Sequence, residues 1–193
     1  MLKSSYILLA FFFISSFIFR QINIPEIKNA VLPISSFKVP AVSELLKKSK
    51  IMIMYRTYSS SGRKPFDIIS YQNDNRWHAY YLSDSSRFHD VFSYNFLDSV
   101  SVSQEFVSSI WETMISENIF VLPADREDEK ECDYTIHDAI HYEVKILTPK
   151  EYKYLDYYAP DRYEQQCPGN ISRQKILKLI AVFAKANFIS RKV

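Results

Sequence analysis

The chain has 193 residues, 47% of them hydrophobic and 24% charged, a balance that excludes wholesale disorder and fits one folded domain with a tail. Its formal charge is +2, but without residues 1–20, which hold Lys3 and Arg20 and no acid, 22 basic residues face 22 acidic ones, and such a chain has no bulk pull towards nucleic acid or anionic lipid. Only two glycines occur, Gly62 and Gly169, so a P-loop, a dinucleotide fingerprint and a Gly-x-Ser-x-Gly nucleophile elbow are all excluded.

At the N-terminus, Lys3 precedes an unbroken apolar-to-small run from Tyr6 to Phe19, closed by Arg20. As a helix these fourteen residues cover about 21 Å, short of the roughly 30 Å hydrocarbon core of a bilayer. A basic start and a short apolar run read as a signal peptide over residues 1–20. No clean small-x-small cleavage site follows, because a cut after Ser16 puts Ile14 where a small residue is wanted, so an uncleaved anchor is the alternative. Either form predicts an exported protein: periplasmic, at the cell surface or secreted. The only membrane contact expected is through this segment, if it is retained.

Residues 21–50, with Pro25, Pro33 and Pro40, read as an extended linker or surface-hugging arm, with a short helix in "AVSELLKKSK". Residues 51–193 form the expected single domain. "IMIMYRTYS" from Ile51 and "FDIISYQ" from Phe66 are β-branched and aromatic strands separated by the turn "SSSGRKP". The turn-prone "NDNR" at Asn73–Arg76 leads back into "WHAYYLS", a hairpin pattern, while "RFHDVFSYNF" is ambiguous. In "SVSQEFVSSIWETMISEN" the period changes: Phe106, Val107, Ile110, Trp111, Met114 and Ile115 fall on one helical face, with Ser103 or Ser101 as cap and Asn118 as stop. A charged loop, "ADREDEKECD", follows "IFVLP". Alternation from Ile140 to Leu147 predicts a strand, and "EYKYLDYYAP" a second one after a turn at Thr148–Lys150. The last segment is a helix capped by Asn170, with Ile176, Ile180, Phe183 and Ala186 on its inner face. Strands, helix, strands, helix is an α+β order: an antiparallel sheet with two helices packed on one face.

Cys132 and Cys167 are the only cysteines. In an oxidising compartment the pair is most simply a disulfide, two free buried thiols being the alternative. The stretch from Tyr152 to Asn170 is the densest in tyrosine. On a strand Tyr152, Tyr154 and Tyr158 share a face with Asp156, and Tyr157 lies on the other. Tyr152, Tyr154, Tyr157, Tyr158 and Tyr163 are therefore candidates for a partner surface, although tyrosine equally suits a half-buried strand with its ring on the core. His137 and His141 stand four apart, but on a strand that separation is about 13 Å, too far to share a metal. The acidic loop lacks the glycine and ligand order of a calcium loop. No cofactor, metal site or catalytic constellation is expected, and a spatially assembled one leaves no trace in sequence. The functional expectation is an exported, non-enzymatic domain that binds an unidentified protein or glycan of the envelope or extracellular space. A small secreted hydrolase acting on cell-wall or glycan material and a membrane-tethered structural protein are the alternatives.

Overall fold

The computed structural model describes residues 22–28, 31–36, 39–84, 94–123, 132 and 135–185. The apolar leader, most of the acidic loop and part of the ambiguous segment lie outside them. Among the described residues no helix is long and apolar enough to cross a membrane.

Strand β1 (Val31–Pro33) and helix α1 (Pro40–Leu46) precede β2 (Ser49–Ser59), β3 (Gly62–Arg63), β4 (Phe66–Gln72), β5 (Trp77–Asp84) and β6 (Tyr94–Val100). Helix α2 (Gln104–Ser116) leads to β7 (His141–Leu147), β8 (Glu151–Tyr158), α3 (Pro160–Gln166) and α4 (Ile171–Lys185). The strands form one antiparallel sheet in the order β1-β8-β7-β2-β4-β5-β6, with β3 folded back on the end of β2. The fold is α+β.

β2 is central because its sequence is apolar on both faces, and residues 51–56 are all buried. Ile51, Ile53 and Tyr55 join the core made with Val107, Ile110, Trp111 and Met114 of α2 and Ile176, Leu179 and Phe183 of α4. Met52 and Met54 point the other way and pack with Phe66, Ile68, Leu82 and Leu147 under Val42, Leu45 and Leu46 of α1. α2 and α4 therefore share one face of the sheet, and the short α1 covers part of the opposite one. Full burial of each of these aliphatic side chains contributes about 1.5–3 kcal/mol.

The local signals act as their chemistry dictates. Ser103 Oγ accepts from Phe106 N at 3.1 Å at the start of α2, and Asn118 ends that segment in the left-handed region at φ 54°. Asn170 Oδ1 accepts from Arg173 N at 2.8 Å and caps α4. The β4–β5 turn places Asn75 at φ 61°, a conformation asparagine tolerates. Two segments without a stated expectation take definite form, and a third departs from its expectation. "IFVLP" forms a 3-10 turn over Ile119–Val121. Of the ambiguous segment only the end is described, as the start of β6. The final strand stops at Tyr158, where Ala159 turns left-handed at φ 46° and Pro160 opens α3, since its fixed φ suits the first turn of a helix.

Residues 22–28 and 31–33 lie on the domain as a docked arm. Ile27 is buried, Ile22 and Ile24 pack beside it on the core, and Lys28 N donates to the Phe120 carbonyl at 3.0 Å. β1 then pairs with β8, matching Val31, Leu32 and Pro33 to Lys153, Tyr152 and Glu151. The arm shields an edge strand whose unpaired backbone would otherwise recruit another chain, and Pro33 is tolerated there because an edge strand leaves one row of donors unused. Alternate apolar residues separated by prolines were the only hint of this docking.

The arm also covers Lys153, which is fully buried and donates from Nζ to the Lys28 carbonyl. Burial holds its ammonium down to about 8 from 10.5. Between those values the unfolded chain holds more protons at this site than the folded one, so stability contributed here rises with pH and is lowest below about 8. Urea melts across that window are expected to show wild type gaining on Lys153→Met as pH rises. Parallel curves would show that this ammonium is hydrated in the folded state.

Candidate functional site

The sheet face carrying α1 changes character towards its far end. Because the β8–β7, β7–β2 and β2–β3 pairings are antiparallel and run without a register shift, side chains from four strands form rows across the face. The outermost row runs Tyr158 (β8), His141 (β7), Tyr58 (β2) and Arg63 (β3). The row beneath it runs Asp156 (β8), Glu143 (β7) and Arg56 (β2). Deeper in, Met54 and Met52 begin the apolar patch under α1.

The outer row is a stack. The Tyr58 and His141 rings lie parallel with centroids 4.3 Å apart, His141 and Tyr158 are 4.6 Å apart at 44°, and the Arg63 guanidinium sits 5.5 Å from the Tyr58 ring. Asp156 fixes the stack from below. Its Oδ1 accepts from His141 Nδ1 at 3.1 Å, and its Oδ2 accepts from Tyr58 Oη at 2.6 Å and from Tyr154 Oη at 3.2 Å. Burial, then the Asp156 hydrogen bond, pushes the Tyr58 phenol up to about 12, which keeps it a donor. Burial and the nearby carboxylates raise Tyr154 further in the same direction.

The second row is ionic and buried. Arg56 Nε donates to Glu143 Oε2, and Lys145 Nζ lies 2.8 Å from Glu143 Oε1, with side-chain exposures of only 5%, 3% and 16% for Arg56, Glu143 and Lys145. The two cations also flank Phe66, Arg56 at 4.1 Å and Lys145 at 4.7 Å from the ring centroid. Burial holds the Lys145 ammonium below its usual range, against the opposing pull of Glu143.

In front of the outer row lies an open cleft of about 520 Å³ lined by Tyr58, Ser59, Ser60, Arg63, Asp138, Ala139, His141 and Tyr158. Its second wall is the loop before β7, held by the cysteines. Cys132 and Cys167 sit at disulfide distance, Cα atoms 6.1 Å apart, and pack with Ile136, Ala139, Ala159 and Tyr163. Tyr158 Oη donates to the Ile136 carbonyl at 3.2 Å and accepts from Ala139 N at 3.1 Å, which ties that wall to the stack. The Cys167 carbonyl accepts from buried Arg173, whose Nε donates to Glu164 at 2.8 Å. Hydrogen bonds from Gln174, Arg173 and Gly169 hold the Glu164 carboxyl down to about 2.

The five tyrosines singled out from sequence do not form one surface. Tyr157 is buried in the main core and Tyr163 against the cysteines, which corrects their reading as exposed contact residues: each lies on the inner side of its element. Tyr152 packs beside the patch under α1, and Tyr154 is tied to Asp156. Only Tyr158 reaches the cleft. Tyr58, Arg63, His141 and Asp156 went unrecognised as a unit, because the β2–β7 register that aligns them is not written in either strand alone. His137 is exposed in the loop, Asp138 beside it turns left-handed at φ 51°, and among the described residues no group of three or more His, Cys, Asp or Glu could hold a metal ion. No protein-family profile matches the sequence, and no curated protein matches it.

Proposed function

We propose that the chain is an exported binding domain whose cleft receives a group of an envelope or extracellular macromolecule, protein or glycan. The observation that carries this reading is the stacked wall Tyr158–His141–Tyr58–Arg63, held rigid by Asp156 at the mouth of an open polar cleft. A wall organised before the ligand arrives loses little entropy on binding. The cysteine pair at disulfide distance is compatible with an oxidising compartment. With the arm docked from Ile22 onward, a retained apolar leader would hold the domain against the bilayer without a stalk.

The test is a glycan and peptide array probed with wild type and with Arg63→Gln. A ligand retained by wild type and weakened about tenfold in the variant supports the reading. Ligands that ignore the substitution place recognition elsewhere. A second reading, a hydrolase, is favoured by one observation: the His141–Asp156 hydrogen bond orients an imidazole at the cleft as a general base would require. Turnover of any substrate in a panel, abolished in His141→Gln, would replace the binding reading with this one.

A further inference from the structure

Resting on the binding reading, we propose that the cleft is an oxyanion site, taking a carboxylate, sulfate or phosphate group of its ligand between Arg63 and the protonated ring of His141.

The groups facing the cleft leave little else to offer. The tyrosines are committed: Tyr58 Oη is on Asp156, Tyr158 Oη is on the Ile136–Ala139 backbone, and the His141 ring stacks with both phenol rings. The wall therefore recognises through polar tips rather than open ring faces. Ser59 and Ser60 add hydroxyls at the rim.

The chemistry of the tip is set by Asp156. A carboxylate only accepts, so the Nδ1 atom bonded to it carries a proton, and in neutral His141 the lone pair sits on Nε2. Among the described residues no hydrogen bond engages Nε2. Neutral His141 thus offers an acceptor, which repels an anion, and protonated His141 offers a donor and a positive charge.

The charges around the ring give the same answer. Facing His141 are Asp156 and Tyr158 from β8, Tyr58 from β2, Arg63 from β3 and Asp138 from the loop before β7. Glu143, the next residue of β7 on this face, is matched by Arg56 and Lys145, and Asp156 takes three hydrogen bonds. Among the described residues, the charged or titratable side chains lining the cleft, besides the committed tyrosines, are Arg63, His141 and Asp138. With His141 protonated, the cleft gains one positive charge and a second donor, across the Tyr58 ring from the guanidinium. Affinity for an oxyanion therefore rises as His141 takes up its second ring proton.

By linkage, an anion that prefers protonated His141 raises the pH at which that ring titrates. The experiment follows the ring protons of the four histidines by NMR in the full-length protein purified from its host, with sulfate exchanged for chloride at constant ionic strength. The expected result is an upward move of about half a pH unit or more for His141 alone, assigned with His141→Gln, and largely lost in Arg63→Gln. Arg63 is exposed on a two-residue strand, so that variant keeps the fold intact. A His141 midpoint that does not move, or one that moves equally in Arg63→Gln, overturns the site. A galacturonate trisaccharide and its neutral galactose counterpart then separate sources. Tighter binding of the acidic sugar than of sulfate identifies an anion carried on a glycan, equal binding identifies a free oxyanion, and both support the site. Array ligands that depend on Arg63 while no anion moves His141 leave the binding domain standing and remove only the oxyanion.

Discussion

Replacing both Cys132 and Cys167 with alanine is expected to lower the unfolding free energy by about 2–5 kcal/mol and to weaken ligand binding at a cleft neither residue lines. The two are 35 residues apart in sequence, and closing a loop of that length in the unfolded chain removes entropy worth about 4 kcal/mol. The local consequence is the more specific one. Cys132 packs against Ile136 and Ala139, and Ile136 and Ala139 hold the Tyr158 hydroxyl. Without the crosslink, the loop before β7 has to be ordered by Ile136, Ala139 and Tyr163 alone, so Tyr158 and the face of the His141 stack against it lose definition. Denaturant melts in the presence and absence of reductant read the first effect, since wild type under reductant should approach the double variant. Chemical shifts of Ala139 and Tyr158 read the second. Equal stability with and without reductant would mean that the thiols are free and that burial alone holds this wall.

The elements that were legible in sequence are those whose information is local. β4 was recovered from Phe66 to Gln72 because alternating aromatic and β-branched residues are bounded by turn-formers on both sides. α2 was recovered because its apolar period, its Ser103 cap and its Asn118 stop agree with one another. α3 was not, because seven residues with Tyr163 as their one large buried side chain carry no period to detect, and its signal reduces to Pro160 at the first position. Sequence leaves linker and surface-hugging arm both open for residues 21–50, because the partners that dock the arm, Phe120 and Lys153, are distant in sequence. The same distinction governs the site. That Tyr154, Asp156 and Tyr158 share a face followed from strand parity. That His141 and Tyr58 stand next to them depends on two pairings, β7 with β8 and β7 with β2, and a one-residue slip in either would have sent His141 to the core face. The spacing of His137 and His141 within one segment says nothing of the partners of His141, Asp156 and Tyr58, which lie on neighbouring strands.

The largest single-residue effect is expected at Glu143. It is the carboxylate shared by Arg56 and Lys145 in the row beneath the stack, and Glu143→Ala leaves both cations facing Phe66 without it. Removing one member of a buried ion pair costs about 3–5 kcal/mol, most of it the penalty of a buried charge that has lost its counter-charge. Arg56→Met should cost less, because Lys145 still neutralises Glu143. The double variant Arg56→Met/Glu143→Leu should return to within about 1–2 kcal/mol of wild type: the pair is replaced by packed apolar groups, and the Lys145 stem can carry its ammonium towards solvent. Urea melts of the four proteins rank these effects side by side. A double variant as unstable as Glu143→Ala would mean that the strands need the shape of Arg56 and Glu143, not their charge balance. The alkaline behaviour supplies a second check. Burial already lowers the Lys145 ammonium and Glu143 opposes that shift, so without Glu143 it falls further. A lysine whose folded value is depressed regains stability as pH rises towards its unfolded value, so the Glu143→Ala deficit should narrow at high pH. The part due to Arg56 should persist, because guanidinium does not deprotonate there. The portion that narrows therefore measures how much of the Glu143 role is to hold Lys145, and the portion that remains measures its bond to Arg56, on which Tyr58 and the floor of the cleft rest.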